Sequence, residues 1–140
     1  MTAVKHIILY IEDDLDDVFI VQQAFEAYNE SIAVVHASNG LKALEYLNGL
    51  SENDLTPCLI ILDMNMPGMD GRETLVSLKQ SPKFRDIPVV VFTTSSNEPD
   101  KEFARRWDAG FITKPIIYSE LNNLAKTFVD TCKSEVLKRA

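Results

Sequence analysis

The chain has 140 residues, of which 46% are hydrophobic and 25% charged; it can bury a core without staples and is too apolar to be disordered throughout. Its 14 basic and 21 acidic residues leave a formal net charge of -7, which argues against broad binding to nucleic acid or to an anionic membrane. Met1 to His6 carries no long apolar run and the apolar stretches are strand-sized, so the expectation is a cytoplasmic chain without leader or membrane span.

Apolar runs alternate with amphipathic stretches along the chain. Ile7 to Ile11 reads as a buried strand. Leu15 to Tyr28 reads as a helix, with Val18, Val21, Phe25 and Tyr28 at three- and four-residue steps. Ile32 to Ala37 is a second strand, Leu41 to Leu50 a second helix with Leu44 and Leu47 inward, and Leu59 to Leu62 a short third strand. A Pro/Gly loop, Met66-Pro67-Gly68-Met69-Asp70-Gly71, leads into a third helix that runs to about Gln80, with Asp70 and Glu73 at capping spacing. After the polar connection Ser81 to Ile87, Pro88 opens a fourth strand, Val89 to Thr93. Glu98 to Trp107 is the fourth helix, with Pro99 tolerated in its first turn, and Phe111 to Thr113 is a brief fifth strand. Ser119 to about Leu137 is a long helix with Leu121, Leu124, Ala125, Phe128 and Cys132 on one face. Nearly continuous apolar strands separated by helices predict an α/β fold, a parallel sheet covered on both faces, in one domain over residues 1–140.

In open parallel sheets, ligands bind beyond the carboxyl ends of the strands. Here those ends carry Glu12-Asp13-Asp14, Asp63, Thr93-Thr94 and Lys114-Pro115. Carboxylates gathered at one edge repel one another unless a hard divalent cation joins them, and an all-oxygen site suits Mg²⁺. Cation, carboxylate nucleophile, hydroxyl and lysine together make a phosphoryl-transfer set, in which catalysis is positioning and charge neutralisation. Each residue taken singly has a plainer reading: a helix start for the acidic triplet, a β-branched strand residue for Thr93, a surface lysine for Lys114. Only their joint placement favours a site.

Four motifs in register, Ile8-Leu9-Tyr10-Ile11-Glu12-Asp13-Asp14, Leu62-Asp63-Met64-Asn65-Met66-Pro67-Gly68-Met69-Asp70-Gly71, Pro88 to Thr94, and Lys114-Pro115, resemble the receiver domain of two-component response regulators over essentially the whole chain. The stretch Phe84 to Ser95 further resembles the small stand-alone regulators of bacterial phytochrome kinases. The resemblance implies a flavodoxin-like (βα)5 sheet, doubly wound, in strand order 2-1-3-4-5. It implies Asp63 as phosphoacceptor. Glu12, Asp13, Asp63 and the Asn65 backbone carbonyl would hold Mg²⁺, with Mn²⁺ as a substitute. Thr93 and Lys114 would bind the phosphoryl oxygens, and Thr93 and Phe111 would form the switch. Phe111 stands where the family often has tyrosine, so switching here would rest on packing alone. A cis Lys114-Pro115 bond is also implied.

The partners implied are a sensor histidine kinase or histidine phosphotransfer protein, of phytochrome type in the narrower likeness, and a downstream protein target, with the chain a monomer or weak homodimer. The only catalysis implied is its own phosphotransfer and slow autodephosphorylation, which Asn65 and Ser95 would influence through water access. The alternatives are a receiver-like interaction scaffold without phosphorylation, an FMN-binding module and a phosphohydrolase. The acidic triplet disfavours FMN, and Asn65 at the place of a second acid disfavours the hydrolase. Between Thr93 and Lys114 the chain runs about one residue shorter than the usual receiver, which makes the Trp107-Asp108-Ala109-Gly110 turn atypical. Cys58 and Cys132 lie in apolar segments without metal-type spacing and read as two reduced, buried thiols; His6 and His36 show no partner pattern.

Overall fold

The computed structural model describes residues 6–28, 31–64, 70–94, 97–115 and 118–139. Its elements alternate throughout: β1 (His6–Ile11), α1 (Leu15–Tyr28), β2 (Ile32–Ala37), α2 (Gly40–Asn48), β3 (Leu59–Leu62), α3 (Gly71–Gln80), β4 (Val89–Thr93), α4 (Glu98–Arg106), β5 (Gly110–Thr113) and α5 (Tyr118–Arg139). The strands form one parallel sheet, as the apolar pattern predicts, in the order β2-β1-β3-β4-β5 that the resemblance implies.

Side-chain alternation along the strands sorts the core into two layers. Ile8, Tyr10, Leu59, Ile61 and Phe92 face α1 and α5, where they meet Val18, Val21, Phe25, Leu121, Ala125 and Phe128. Leu9, Ile11, Ile60, Leu62, Val89 and Val91 face the other way, onto Ala43 and Leu47 of α2, Leu75 and Leu78 of α3 and Ala104 of α4. The central β1 and β3 are buried on both sides, which is why they read as unbroken apolar runs. Phe128 stacks on Phe25 (centroids 6.1 Å apart) and meets Phe92 edge-on at 5.9 Å, fixing α5 against both α1 and the sheet.

The helix starts use the expected polar caps. Asn39, Asp70 and Asn97 each accept a backbone N–H from three residues on, opening α2, α3 and α4, and Pro99 sits in the first turn of α4. The Trp107-Asp108-Ala109-Gly110 turn closes α4 by a Schellman motif. The Ala109 N–H donates to Ala104 O at 2.8 Å and the Asp108 N–H to Arg105 O at 3.1 Å, with Asp108 at φ 55°. The shortened exit from α4 is therefore a regular helix stop carrying aspartate where glycine is usual.

Two expectations are corrected. Cys58 and Cys132 are not separate reduced thiols: their Cα atoms are 5.0 Å apart and a disulfide joins them, pinning α5 to the start of β3. They sit on facing elements of one core layer, which a 74-residue separation in sequence conceals. The Lys114-Pro115 bond is trans, since no described peptide bond is cis.

Candidate phosphoryl-transfer site

The parallel register builds the site. The Glu12 N–H donates to Ala37 O at 3.0 Å and the Asp63 N–H to Ile11 O at 3.1 Å, so the first residues past β1 and β3 leave the sheet side by side. One carboxylate oxygen from each of Glu12, Asp13 and Asp63 lies within 4.8 Å of the other two. Glu12 and Asp63 are buried, whereas Asp13 is exposed at the rim. Asp14 points elsewhere, and its side chain accepts the N–H groups of Asp16 (2.9 Å) and Asp17 (3.3 Å) to start α1. The plain helix-start reading thus holds for Asp14 and not for its two neighbours.

Three carboxylates this close, two of them out of water, are electrostatically unfavourable alone. Burial and the adjacent Asp63 carboxylate push Glu12 up to about 8, offset in part by Lys114. All the donors are hard oxygens, the set that Mg²⁺ or Mn²⁺ takes. Lys114 follows β5, tied by its N–H to Thr93 O at 2.8 Å. Its ammonium group pairs with Glu12 Oε1 and, at 2.9 Å, with Asp17 Oδ2 of α1. Burial works against that charge, but the bonds to Glu12 and Asp17 outweigh it and hold the lysine above its ordinary pKa. Thr93 ends β4, fully buried, one strand from Asp63. Phe111 lies on β5 beside Val91, half-buried, and packs on the α4-side core layer together with Phe103 and Trp107. Asn65 and Ser95 lie outside the described residues.

The profile described as the response regulator receiver domain matches residues 8–126. The chain belongs to the response regulator receiver family. This receiver is 42% identical over 96 residues to the response regulator Rcp1 of Synechocystis, a stretch covering 67% of this chain and 65% of Rcp1's own length. Among solved structures it resembles the phosphorylated cyanobacterial phytochrome response regulator RcpA, with a TM-score of 0.79 and 35% identity over 89% of this chain and 91% of that one. The Mn²⁺-bound form of Rcp1 gives a TM-score of 0.77 and 33% identity, over 88% and 91% of the two chains. No described helix of this receiver is long and apolar enough to cross a membrane.

Several contacts of the receiver site escape sequence reading. The Tyr10 hydroxyl donates to Glu12 Oε1 at 3.2 Å, and His36 Nε2 lies 2.7 Å from the Glu12 backbone oxygen. Period-two alternation places Tyr10 and Glu12 on one face, but a tyrosine in an apolar strand reads as core. Gly71, the first residue of α3, packs so closely that a Cβ there would lie 2.4 Å from Asp63 O and 2.5 Å from Met64 Cα. Arg72 of α3 pairs with the buried Asp100 of α4, which Asn97 Nδ2 also holds at 3.1 Å.

Proposed function

We propose that the chain is a phosphoryl-accepting switch of two-component signalling, with Asp63 as acceptor. The observation that carries this reading is the convergence of Glu12, Asp13 and Asp63 within 4.8 Å, flanked by the Lys114 ammonium group. An Asp63 oxygen attacks phosphorus of a phosphohistidine. The P–N bond breaks with its electron pair returning to the imidazole, and Asp63 becomes an acyl phosphate. Glu12, Asp13, Asp63 and the Asn65 carbonyl would hold Mg²⁺, which when bound neutralises charge on the phosphoryl oxygens. Lys114 supplies a fixed positive charge at the rim, and the Thr93 hydroxyl donates to a phosphoryl oxygen of the product. Thr93 moves toward the phosphoryl group and Phe111 repacks into the space it leaves, changing the surface of α4, β5 and α5.

The donor is a sensor histidine kinase or a histidine phosphotransfer protein. Similarity to a phytochrome response regulator supports a kinase of the phytochrome type. The protein acts in the cytoplasm, with residues 1–140 forming a receiver domain, as a monomer or weak homodimer with a downstream protein target. It catalyses only its own phosphotransfer and slow hydrolysis. Intact mass after acetyl phosphate and Mg²⁺ tests the reading. A labile phosphoryl adduct is expected on the native chain and not on Asp63→Asn; equal labelling of the two, or none, overturns it.

A further inference from the structure

We propose that Tyr10 is a positioning residue of the metal site, holding Glu12 in place when Lys114 lets go of it; this rests on the function proposed above. Both oxygens of the Glu12 carboxylate are engaged. Oε2 accepts the Asp13 N–H at 3.2 Å, whereas Oε1 is shared between the Tyr10 hydroxyl at 3.2 Å and the Lys114 ammonium group. The two donors at Oε1 differ in kind. Lys114 sits on a flexible stem, also bonds Asp17, and has its own work at a phosphoryl oxygen. Tyr10 is held by its ring, wholly buried in the layer formed with α1 and α5, and its hydroxyl is aimed at Glu12.

Packing alone asks for no hydroxyl at this point. Ile8, two residues earlier on the same face, fills the same layer with carbon only. A phenol in the core needs an acceptor, and the acceptor it has is a carboxylate at the metal site. The phenol can neither carry positive charge nor displace a cation. It therefore orients Glu12 without competing with the metal, as an outer partner orients a ligand. A cavity of about 60 Å³ lies beside the network, lined by Tyr10, Asp17 and Lys114 among others.

The test is Mn²⁺ affinity, read from the electron paramagnetic resonance signal of the free ion, for the native chain, Tyr10→Phe, Tyr10→Leu and Tyr46→Phe. Both Tyr10 variants are expected to bind about tenfold more weakly, the low end of the loss seen when outer partners of metal ligands are removed. Tyr46→Phe, on α2 away from the site, should match the native chain. Mn²⁺ should also produce a near-ultraviolet tyrosine difference band in the native protein that both Tyr10 variants lack. Native-like affinity in a Tyr10 variant, or a difference band that survives loss of Tyr10, overturns the proposal while leaving the proposed function standing. A native chain that takes up no Mn²⁺ overturns both. Should Tyr10→Leu not fold, Tyr10→Phe, which keeps the ring and removes only the hydroxyl, decides between the same outcomes.

Discussion

Lys114 and Asp17 lie 97 residues apart in the chain, yet the lysine ammonium group is 2.9 Å from Asp17 Oδ2. Asp17 thus shares with Glu12 the charge that the proposed mechanism assigns to a phosphoryl oxygen. The lysine pairs with Glu12, one of the carboxylates that would hold a divalent cation. Removing the lysine should therefore help the cation and hurt the chemistry. Lys114→Met is expected to bind Mg²⁺ about tenfold more tightly, an order set by the loss of one nearby like charge. It should label far more slowly with acetyl phosphate. Titration and intact mass check the two halves separately, and weaker Mg²⁺ binding by Lys114→Met would contradict the competition.

Glu12 gives the pH dependence. Its pKa is raised in the folded chain to about 8 from 4.5, so without a cation the folded state keeps a proton that the unfolded chain has released. Stability contributed by this group is fully present below pH ~4.5, falls as pH rises and levels off above about 8. Cation binding needs the deprotonated carboxylate and so follows the opposite course. Apparent Mg²⁺ affinity should rise between pH 6 and 8, at most about tenfold per unit, and then flatten. Titrations across that range check it. A flat profile would mean that Glu12 is already ionised at pH 6.

Gly71 tests how closely the acceptor strand depends on the start of α3. An added Cβ would meet backbone at Asp63 and Met64, which cannot rotate away as a side chain can. Gly71→Ala is expected to lose about 1–3 kcal/mol of stability, the usual cost of overpacking, and to displace Asp63. Urea unfolding measures the first effect and acetyl phosphate labelling the second. An alanine variant with native stability and labelling would show that α3 can move back freely.

Asp108 offers a change in the other direction. Its φ of 55° is strained for a side-chain-bearing residue, and the Schellman hydrogen bonds around it are made by the backbone. Asp108→Gly is expected to stabilise the chain by about 0.5–1 kcal/mol, less any entropy glycine gains in the unfolded state. Thermal unfolding would show it as a modest rise in Tm with Mg²⁺ binding unchanged.

Several features of this receiver follow from local chemistry and were therefore open to sequence reading. Apolar runs such as Leu59 to Leu62 can be satisfied only inside a sheet covered on both faces, and the helix face of Leu121, Ala125 and Phe128 only against it. Caps such as Asp70 depend on neighbours three residues away. Because parallel strands all point one way, their ends share one rim, so Glu12, Asp13 and Asp63 converge as their placement foretold.

What only the tertiary structure decided is which of several available partners each polar or sulfur group takes. Lys114 follows β5 at a rim that carries several acids, and the packing of α1 gave it Asp17 as well as Glu12. Tyr10 read as core until the register set its hydroxyl against Glu12, and Cys58 and Cys132 read as separate until α5 crossed β3. Periodicity and capping are set by residues a few positions apart, and a sequence displays them. Pairing between elements depends on ångström-scale offsets that arise only when layers pack, and no local pattern encodes them.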